Sequence, residues 1–444
     1  MQLLHFRMHP PVCSLVRPIL LLIVMLGSIP ATNAASTSGT NAPSVVRVVD
    51  TGDGYTLEKN GEPYIIKGVG GSSNLGLLKH YGGNTIRTWD AEGIRPLLDE
   101  AHELGISVLV GIWLHHQRHG YDHDDTSVRR EQIERVERFV RAFRDHPAVL
   151  GWGVGNEVEL GGALDIAIEQ INAAAKKIKE LDPDHPTFAI IAGTGEDKAR
   201  RIAEDCPDID VLGINAYGSV GGVTQDLARQ GYDGPYAITE YGPLGHWESA
   251  KTPWGAPIEQ SSAEKAAFLK KNHAKTVEAN LDGPCIGSFA FLWGHKQERT
   301  ETWYGLVLPT GETTQSVDVL SEFWTGDEPK DLAPRVEGMT LHPEGDRHRY
   351  APGTRVRCRV HASEPDADRM DIEWRVFPES DAQTIGGDPE RTLAQVETRV
   401  QRAGESAAWI TLPETPGAYR IFVTVRDGNG HAGTANTPVL IERD

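Results

Sequence analysis

The sequence predicts an α/β chain in which a (β/α)₈ barrel is followed by an immunoglobulin-like β-sandwich. Three observations carry this. Eight short apolar runs alternate with eight segments of helical period, which is the inventory of a closed barrel. From about residue 335 the pattern changes to short, partly alternating strands between Gly, Pro and Asp turns. Between the two patterns lies Trp324-Thr-Gly-Asp-Glu-Pro-Lys-Asp-Leu-Ala-Pro334, a turn-rich break where one core is expected to end and another to begin.

Taken in order, residues 1–34 read as an export signal. Arg7 and Arg17 stand ahead of or beside the apolar stretch Pro18–Leu26, and Ala31-Thr-Asn-Ala34 supplies small residues for cleavage. The apolar run is too short to span a bilayer, and an exported chain, periplasmic or extracellular, without a membrane span is expected. Cys13 would leave with the signal. Residues 45–326 are assigned to the barrel with an N-terminal hairpin, 327–334 to a linker and 335–444 to the sandwich.

The hairpin is Tyr55–Lys67, turning at Asn60-Gly61. The barrel strands are expected at Tyr64–Val69, Thr85–Thr88, Ser107–Trp113, Leu150–Val154, Thr187–Ala192, Val211–Ile214, Tyr236–Thr239 and Ile286–Trp293. Helices are expected at Leu75–Tyr81, Ile94–Leu104, Val128–Arg144, Ala163–Leu181, Lys198–Glu204, Thr224–Gln230, Ala263–Leu281 and Thr314–Trp324. A doubly wound open sheet is the competing reading, but Gly68-Val-Gly-Gly-Ser-Ser73 lacks the spacing of a dinucleotide loop. In the tail, strands are expected at Val356–Val360, Met370–Val376, Ala394–Val400, Ala407–Leu412 and Tyr419–Val425. Their Trp374, Trp409 and Tyr419 are expected to serve as core aromatics rather than sugar platforms.

The formal charge is −19. Loss of the leader would remove two further positive charges, and so acidic a surface argues against nucleic acid as a partner. Cys206, Cys285 and Cys358 are too few for a disulfide framework, although a Cys206–Cys285 bridge stands as an alternative to three free thiols.

Two acids stand where buried strands end: Glu157 in Gly-Trp-Gly-Val-Gly-Asn-Glu-Val-Glu after the fourth strand, and Glu240 in Tyr-Ala-Ile-Thr-Glu-Tyr-Gly after the seventh. Barrel sites assemble at the carboxyl ends of the strands, so both should face one mouth. Two carboxyls about 5 to 5.5 Å apart suit a retaining cleavage of a glycosidic bond, whereas inversion needs about 6.5 to 9.5 Å.

On these residues the chain resembles the retaining glycoside hydrolases of the large (β/α)₈ clan. The likeness rests on Gly155-Asn156-Glu157, Thr239-Glu240-Tyr241-Gly242 and Asn84-Thr-Ile-Arg87-Thr-Trp89, and extends over roughly Tyr64–Trp324. Within the clan it is most similar to the barrel domain of the β-galactosidase and β-glucuronidase family. The Asn-Glu-Val and Glu-Tyr-Gly pieces are also similar to β-1,3-glucanosyltransferases. It departs from the first family in lacking a jelly-roll-sized segment ahead of the barrel, and in Val158 where proline is common.

The resemblance implies Glu157 as acid/base, Glu240 as nucleophile, an oligo- or polysaccharide substrate and no cofactor. Arg87 and Tyr217 are expected to hold Glu240, Asn156 to bind a ring hydroxyl, and Trp293 to floor the subsite of the attacked sugar. Trp89 and Trp113 are expected as subsite walls, with Trp247 and Trp303 as further candidates. His115 and His116 are expected to touch sugar hydroxyls. The dense run His115–Asp125 also raises the reading of a metal-dependent esterase, and loss of turnover on the same scaffold would give a glycan-binding protein. A β-glucan is the preferred substrate.

Overall fold

The computed structural model describes residues 42–343 and 348–443, so the expected leader lies outside the described residues. The chain opens with a small antiparallel sheet of β1 (Val46–Asp50), β2 (Tyr55–Lys59) and β3 (Glu62–Tyr64). Asn60 and Gly61 both take positive φ, 56° and 82°, as a two-residue hairpin turn requires. The second arm divides after Tyr64: β3 pairs with β2, and the following strand enters the barrel.

That barrel is closed and all-parallel. Its strands are β4 (Ile66–Gly71), β5 (Thr85–Arg87), β6 (Ser107–Ile112), β7 (Val149–Val154), β8 (Thr187–Ala192), β9 (Val211–Asn215), β10 (Tyr236–Tyr241) and β11 (Cys285–Trp293), with β11 pairing back onto β4. Side chains alternate along each strand. On β6, Val108, Val110 and Ile112 join the core under the helices, whereas Leu109 points inward to meet Leu150, Phe188 and Phe289. Val46, Leu57 and Ile66 pack into that inner cluster, so the N-terminal sheet plugs the barrel end opposite the strand termini.

The helices are α1 (Leu75–His80), α2 (Arg95–Leu104), α3 (Thr126–Phe143), α4 (Leu164–Leu181), α5 (Lys198–Asp205), α6 (Val223–Gln230), α7 (Ser262–Thr276) and α8 (Gln315–Thr325). Side-chain caps fix the starts of two of them. Asp125 caps α3 by accepting from Ser127 N, and Ser261 with Glu264 forms a reciprocal capping box on α7. The helix expected over Ala263–Leu281 stops at Thr276 and tightens into a single 3₁₀ turn at Glu278–Asn280. Among the described residues no helix is long and apolar enough to cross a membrane.

The remaining strands are β12 (Arg335–His342), β13 (Arg349–Tyr350), β14 (Arg355–Ser363), β15 (Asp371–Pro378), β16 (Val400–Arg402), β17 (Ala407–Thr411), β18 (Gly417–Arg426) and β19 (Ala432–Ile441). They form two four-stranded sheets, β12-β14-β17-β16 and β13-β19-β18-β15, which face each other across one core that holds Val356, Cys358 and Val360 with Ile421 and Val423. The strands β12, β13 and β19 go beyond the sequence expectation; Ala432–Ile441 carries Gly, Asn and Pro yet pairs with β18 along its whole length. Conversely, the strand expected at Ala394–Val400 is irregular up to Val400, with Val396 N donating to Val376 O at 2.8 Å. Trp374 and Tyr419 are buried as expected, and Trp409 is half-buried under the Arg355 guanidinium.

Cys206, Cys285 and Cys358 are all buried, free thiols, which removes the Cys206–Cys285 pairing. Burial pushes each thiol up to about 12.

Candidate active site

The carboxyl ends of the barrel strands surround a cavity of about 430 Å³ whose lining includes Trp89, Trp113, Asn156, Glu157, Tyr217, Glu240 and Trp247. Glu240, the fifth residue of β10, has its carboxylate surrounded by donors. Arg87 Nη1 donates to Oε1 at 2.9 Å, Trp89 Nε1 donates to the same oxygen at 2.9 Å, and Tyr217 Oη donates to Oε2 at 2.8 Å. Arg87 is 1% exposed and spends its other arm on Asn156 Oδ1 at 2.5 Å. A buried guanidinium needs such partners, and here both terminal nitrogens of Arg87 find them in the site itself.

Glu157 is set differently. The turn after β7 places both Gly155 (φ 72°) and Glu157 (φ 50°) in left-handed backbone, a conformation that costs a glutamate roughly 1–2 kcal/mol. Glu157 N donates to Ile190 O at 2.9 Å, which holds the turn, and Asn215 Nδ2 donates to Glu157 Oε1 at 2.9 Å. The same Asn215 amide reaches Asn156 Oδ1 at 3.1 Å, and its own Oδ1 accepts from Thr239 at 2.8 Å. A continuous polar chain therefore runs from Glu240 through Arg87, Asn156 and Asn215 to Glu157.

Burial pushes the Glu157 carboxyl up to about 8. The charge of Glu240 adds to this and the Asn215 hydrogen bond opposes it. Ionising Glu157 thus costs the folded state stability as pH rises from the ordinary carboxylate value of 4.5 through about 8. Glu157→Gln is accordingly expected to match the parent near pH 5 and to exceed it in urea midpoint at pH 9. Equal midpoints at both pH values would contradict this burial.

Three other acids near these strand ends, Glu159, Asp90 and Glu248, are occupied elsewhere. Glu159 is buried away from the mouth, accepting from Ala192 N at 2.8 Å and pairing with Lys198 at 3.1 Å. Asp90 pairs with Arg135, and Glu248 accepts from Gly218 N and Gly245 N.

Several expected contacts fall elsewhere. Trp293 is 2% exposed and turned away from the cavity, with its Nε1 donating to Asn74 O at 3.2 Å; the β4–β11 register shifts between Ala290 and Trp293, and Phe291 and Leu292 line the cavity instead. Trp303 is also buried, donating to Leu244 O. His115 is exposed and outside the lining. His116 is fully buried, stacked between Trp113 and His119 at 4.8 and 5.2 Å, and burial pushes it down to about 4. It braces the walls while His119 reaches the cavity. His115 and His116 are not part of the one group of His, Cys, Asp and Glu found close enough to hold a metal ion among the described residues, Asp331, Asp427 and His431.

The lining also includes residues the sequence did not single out as a set: Lys296, Glu298 and, from the irregular segment between β15 and β16, Gly386–Pro389. Burial works against the Glu298 charge, but His246 and Lys296 hold its carboxyl below the ordinary range.

In sequence, residues 80–245 match the family described as "Glycosyl hydrolases family 2, TIM barrel domain". No curated protein matches the chain. Among solved structures, the FMN-binding β-glucuronidase of Facaelibacterium prausnitzii L2-6 aligns at 18% identity and a TM-score of 0.50, covering 90% of this chain and 59% of its own. A Ruminococcus gnavus β-glucuronidase in complex with uronic deoxynojirimycin aligns at 16% and 0.50, covering 63% and 52%. At these identities the likeness is one of fold, and the chain spans less than two thirds of either structure's length. The chain carries a closed (β/α)₈ barrel similar to that of glycosyl hydrolases family 2.

Proposed function

We propose that this chain is an exported retaining β-glycoside hydrolase or transglycosylase that acts on a neutral β-glycan, with Glu240 as nucleophile and Glu157 as acid/base. One observation carries the reading: two carboxyls face one cavity in contrasting surroundings, Glu240 ringed by a cation and two donors, Glu157 buried beside it with its carboxyl pushed up.

In the first step Glu240 attacks the anomeric carbon, and Glu157 gives its proton to the departing glycosidic oxygen. The negative charge of Glu240 is then consumed in the glycosyl ester, which removes one cause of the raised Glu157 affinity for a proton. Glu157 now takes a proton from water or from an acceptor hydroxyl, whose oxygen attacks the anomeric carbon and releases Glu240. Asn156, fixed by Arg87 and Asn215, is positioned to meet the hydroxyl beside the reacting carbon, and Trp89 and Phe291 supply apolar surface.

A neutral sugar is favoured by the charge of the lining. Lys296 is spent on Glu298 at 2.9 Å and on the Gly387 carbonyl, while Glu157, Glu240 and Asp388 also face the cavity. A uronate would meet acids without a free lysine. β-Glucan therefore stands first. The two facing C-terminal sheets support reading residues 335–444 as an immunoglobulin-like sandwich that partners the barrel across the 327–334 linker.

Product analysis over purified β-1,2, β-1,3, β-1,4 and β-1,6 glucans, galactan and mannan, with NMR of the first-formed anomer, tests the proposal. Retained configuration is expected; an inverted product would refute it. Activity should fall as pH rises through the Glu157 titration, and that basic limb should vanish in Glu157→Ala. Tyr217→Phe, which deletes one charged hydrogen bond worth about 1.5–3 kcal/mol, is expected to lower kcat/KM roughly 10- to 100-fold with the fold unchanged.

A further inference from the structure

Between β15 and β16 the chain leaves its sheet and crosses to the barrel mouth, where Gly386–Pro389 line the same cavity as Glu157 and Glu240. The barrel grips this segment, and the segment braces itself. Arg299 N donates to Glu390 Oε2 at 2.9 Å and Arg299 Nη1 donates to Ala382 O at 2.5 Å. His119 Nε2 lies 3.0 Å from Asp388 Oδ1, with Arg118 Nη2 at 3.5 Å, and Lys296 donates to Gly387 O. Thr384 and Ser380 hydroxyls donate to the Glu390 carboxylate from within the segment.

The tip of the segment favours glycine. Gly386 and Gly387 have φ of 59° and 74°. A Cβ on Gly386 would stand 2.6 Å from Leu160 Cδ2 and 3.3 Å from Glu157 Oε2. This second distance sets the segment beside the proposed acid, with Arg118 Nη2 equally near at 3.3 Å. Asn215 holds Glu157 Oε1, which leaves Oε2 to carry the transferable proton, and Gly386 is beside Oε2. The group that receives that proton is the leaving oxygen, so its remainder must pass the glycine turn.

We infer that Gly386–Pro389 form the wall of the leaving-group and acceptor subsite, which the C-terminal domain thereby builds for the barrel. The subsite takes a compact hydroxylated unit, a sugar or short oligosaccharide end, bounded by the glycine turn and by His119 with its bound Asp388. Cleavage is thus directed to chain ends, and the same wall selects the acceptor. This rests on the retaining mechanism proposed above.

The test compares substrates that share a β-glucosyl glycone and differ in leaving group: 2-deoxy-2-fluoro-β-glucosyl fluoride, 4-nitrophenyl β-glucoside, and β-glucan oligosaccharides of two and six units. Variants are Gly386→Ala and Asp388→Ala, with Asp388→Asn as the conservative partner and thermal melting as the check on folding. Gly386→Ala should lower kcat/KM for the nitrophenyl glucoside and the oligosaccharides about tenfold or more, while labelling of Glu240 by the fluoride, whose leaving group is one atom, changes less than about twofold. Asp388→Ala should raise the six-unit to two-unit kcat/KM ratio about fivefold or more, with Asp388→Asn between it and the parent. Equal changes across all leaving groups, or none, would overturn the inference. Failure of the fluoride to label Glu240 in the parent protein would instead overturn the double-displacement reading, and the inference with it.

Discussion

Glu240→Gln is expected to lower kcat on the order of 10⁴-fold or more while leaving the melting profile near that of the parent. The substitution keeps the volume, and the amide oxygen can still accept from Arg87, Trp89 or Tyr217. What it removes is the carboxylate, whose charge and second oxygen the glycosyl ester requires. Glu240→Ala opens room for azide, which would attack once from the nucleophile's face and yield a glycosyl azide of inverted configuration. Glu157→Ala with azide should give the retained product, since Glu240 still makes the first bond. Interchanged stereochemical outcomes would reverse the two roles, and full activity of Glu240→Gln would remove Glu240 from the chemistry.

Arg87→Met is expected to cost about 3–5 kcal/mol of folding stability, because it strands one buried charge rather than removing a pair. Glu240 would keep two donors and lose its cation, and Asn156 would lose the contact that fixes its amide. Urea unfolding with an unchanged slope measures this. Arg87→Lys should recover part of the stability and little of the activity, since a single ammonium cannot serve Glu240 Oε1, the Thr239 carbonyl and Asn156 together as the planar fork does. A cost below about 1 kcal/mol for Arg87→Met would mean that solvent reaches the pair more freely than its burial indicates.

The barrel was legible because its strands are short continuous apolar runs and its helices follow a 3.6-residue period, so Glu157, Glu240, Arg87 and Tyr217 could be placed by counting to strand ends. Counting failed where the ladder slips. The irregular register near the end of β11 exchanges the expected Trp293 for Phe291 and Leu292. It failed again in the loop after β6, where no repeat dictates direction: Trp113 and His119 face the cavity and His116 is sandwiched between them. The approach of Gly386 and Gly387 to Glu157 arises from packing between distant parts of the chain, which local pattern does not encode. The β19 strand was hidden by its Gly, Asn and Pro, residues that pairing along the full length of β18 overrides.

Arg420 gives the two halves of the chain a shared fate. Its guanidinium, 1% exposed, donates to the barrel's Pro257 carbonyl at 2.7 Å, forks onto Glu379 and reaches Asn436, whose amide in turn donates to the barrel's Glu259 at 2.6 Å. Glu379 is also where the segment that crosses the mouth departs from its sheet. The C-terminal sheets are therefore no detachable accessory to be lost, swapped or fused at the linker: a chimera that exchanges them would have to carry over the Arg420 seat on both sides, or misalign the very rim that the catalytic barrel borrows.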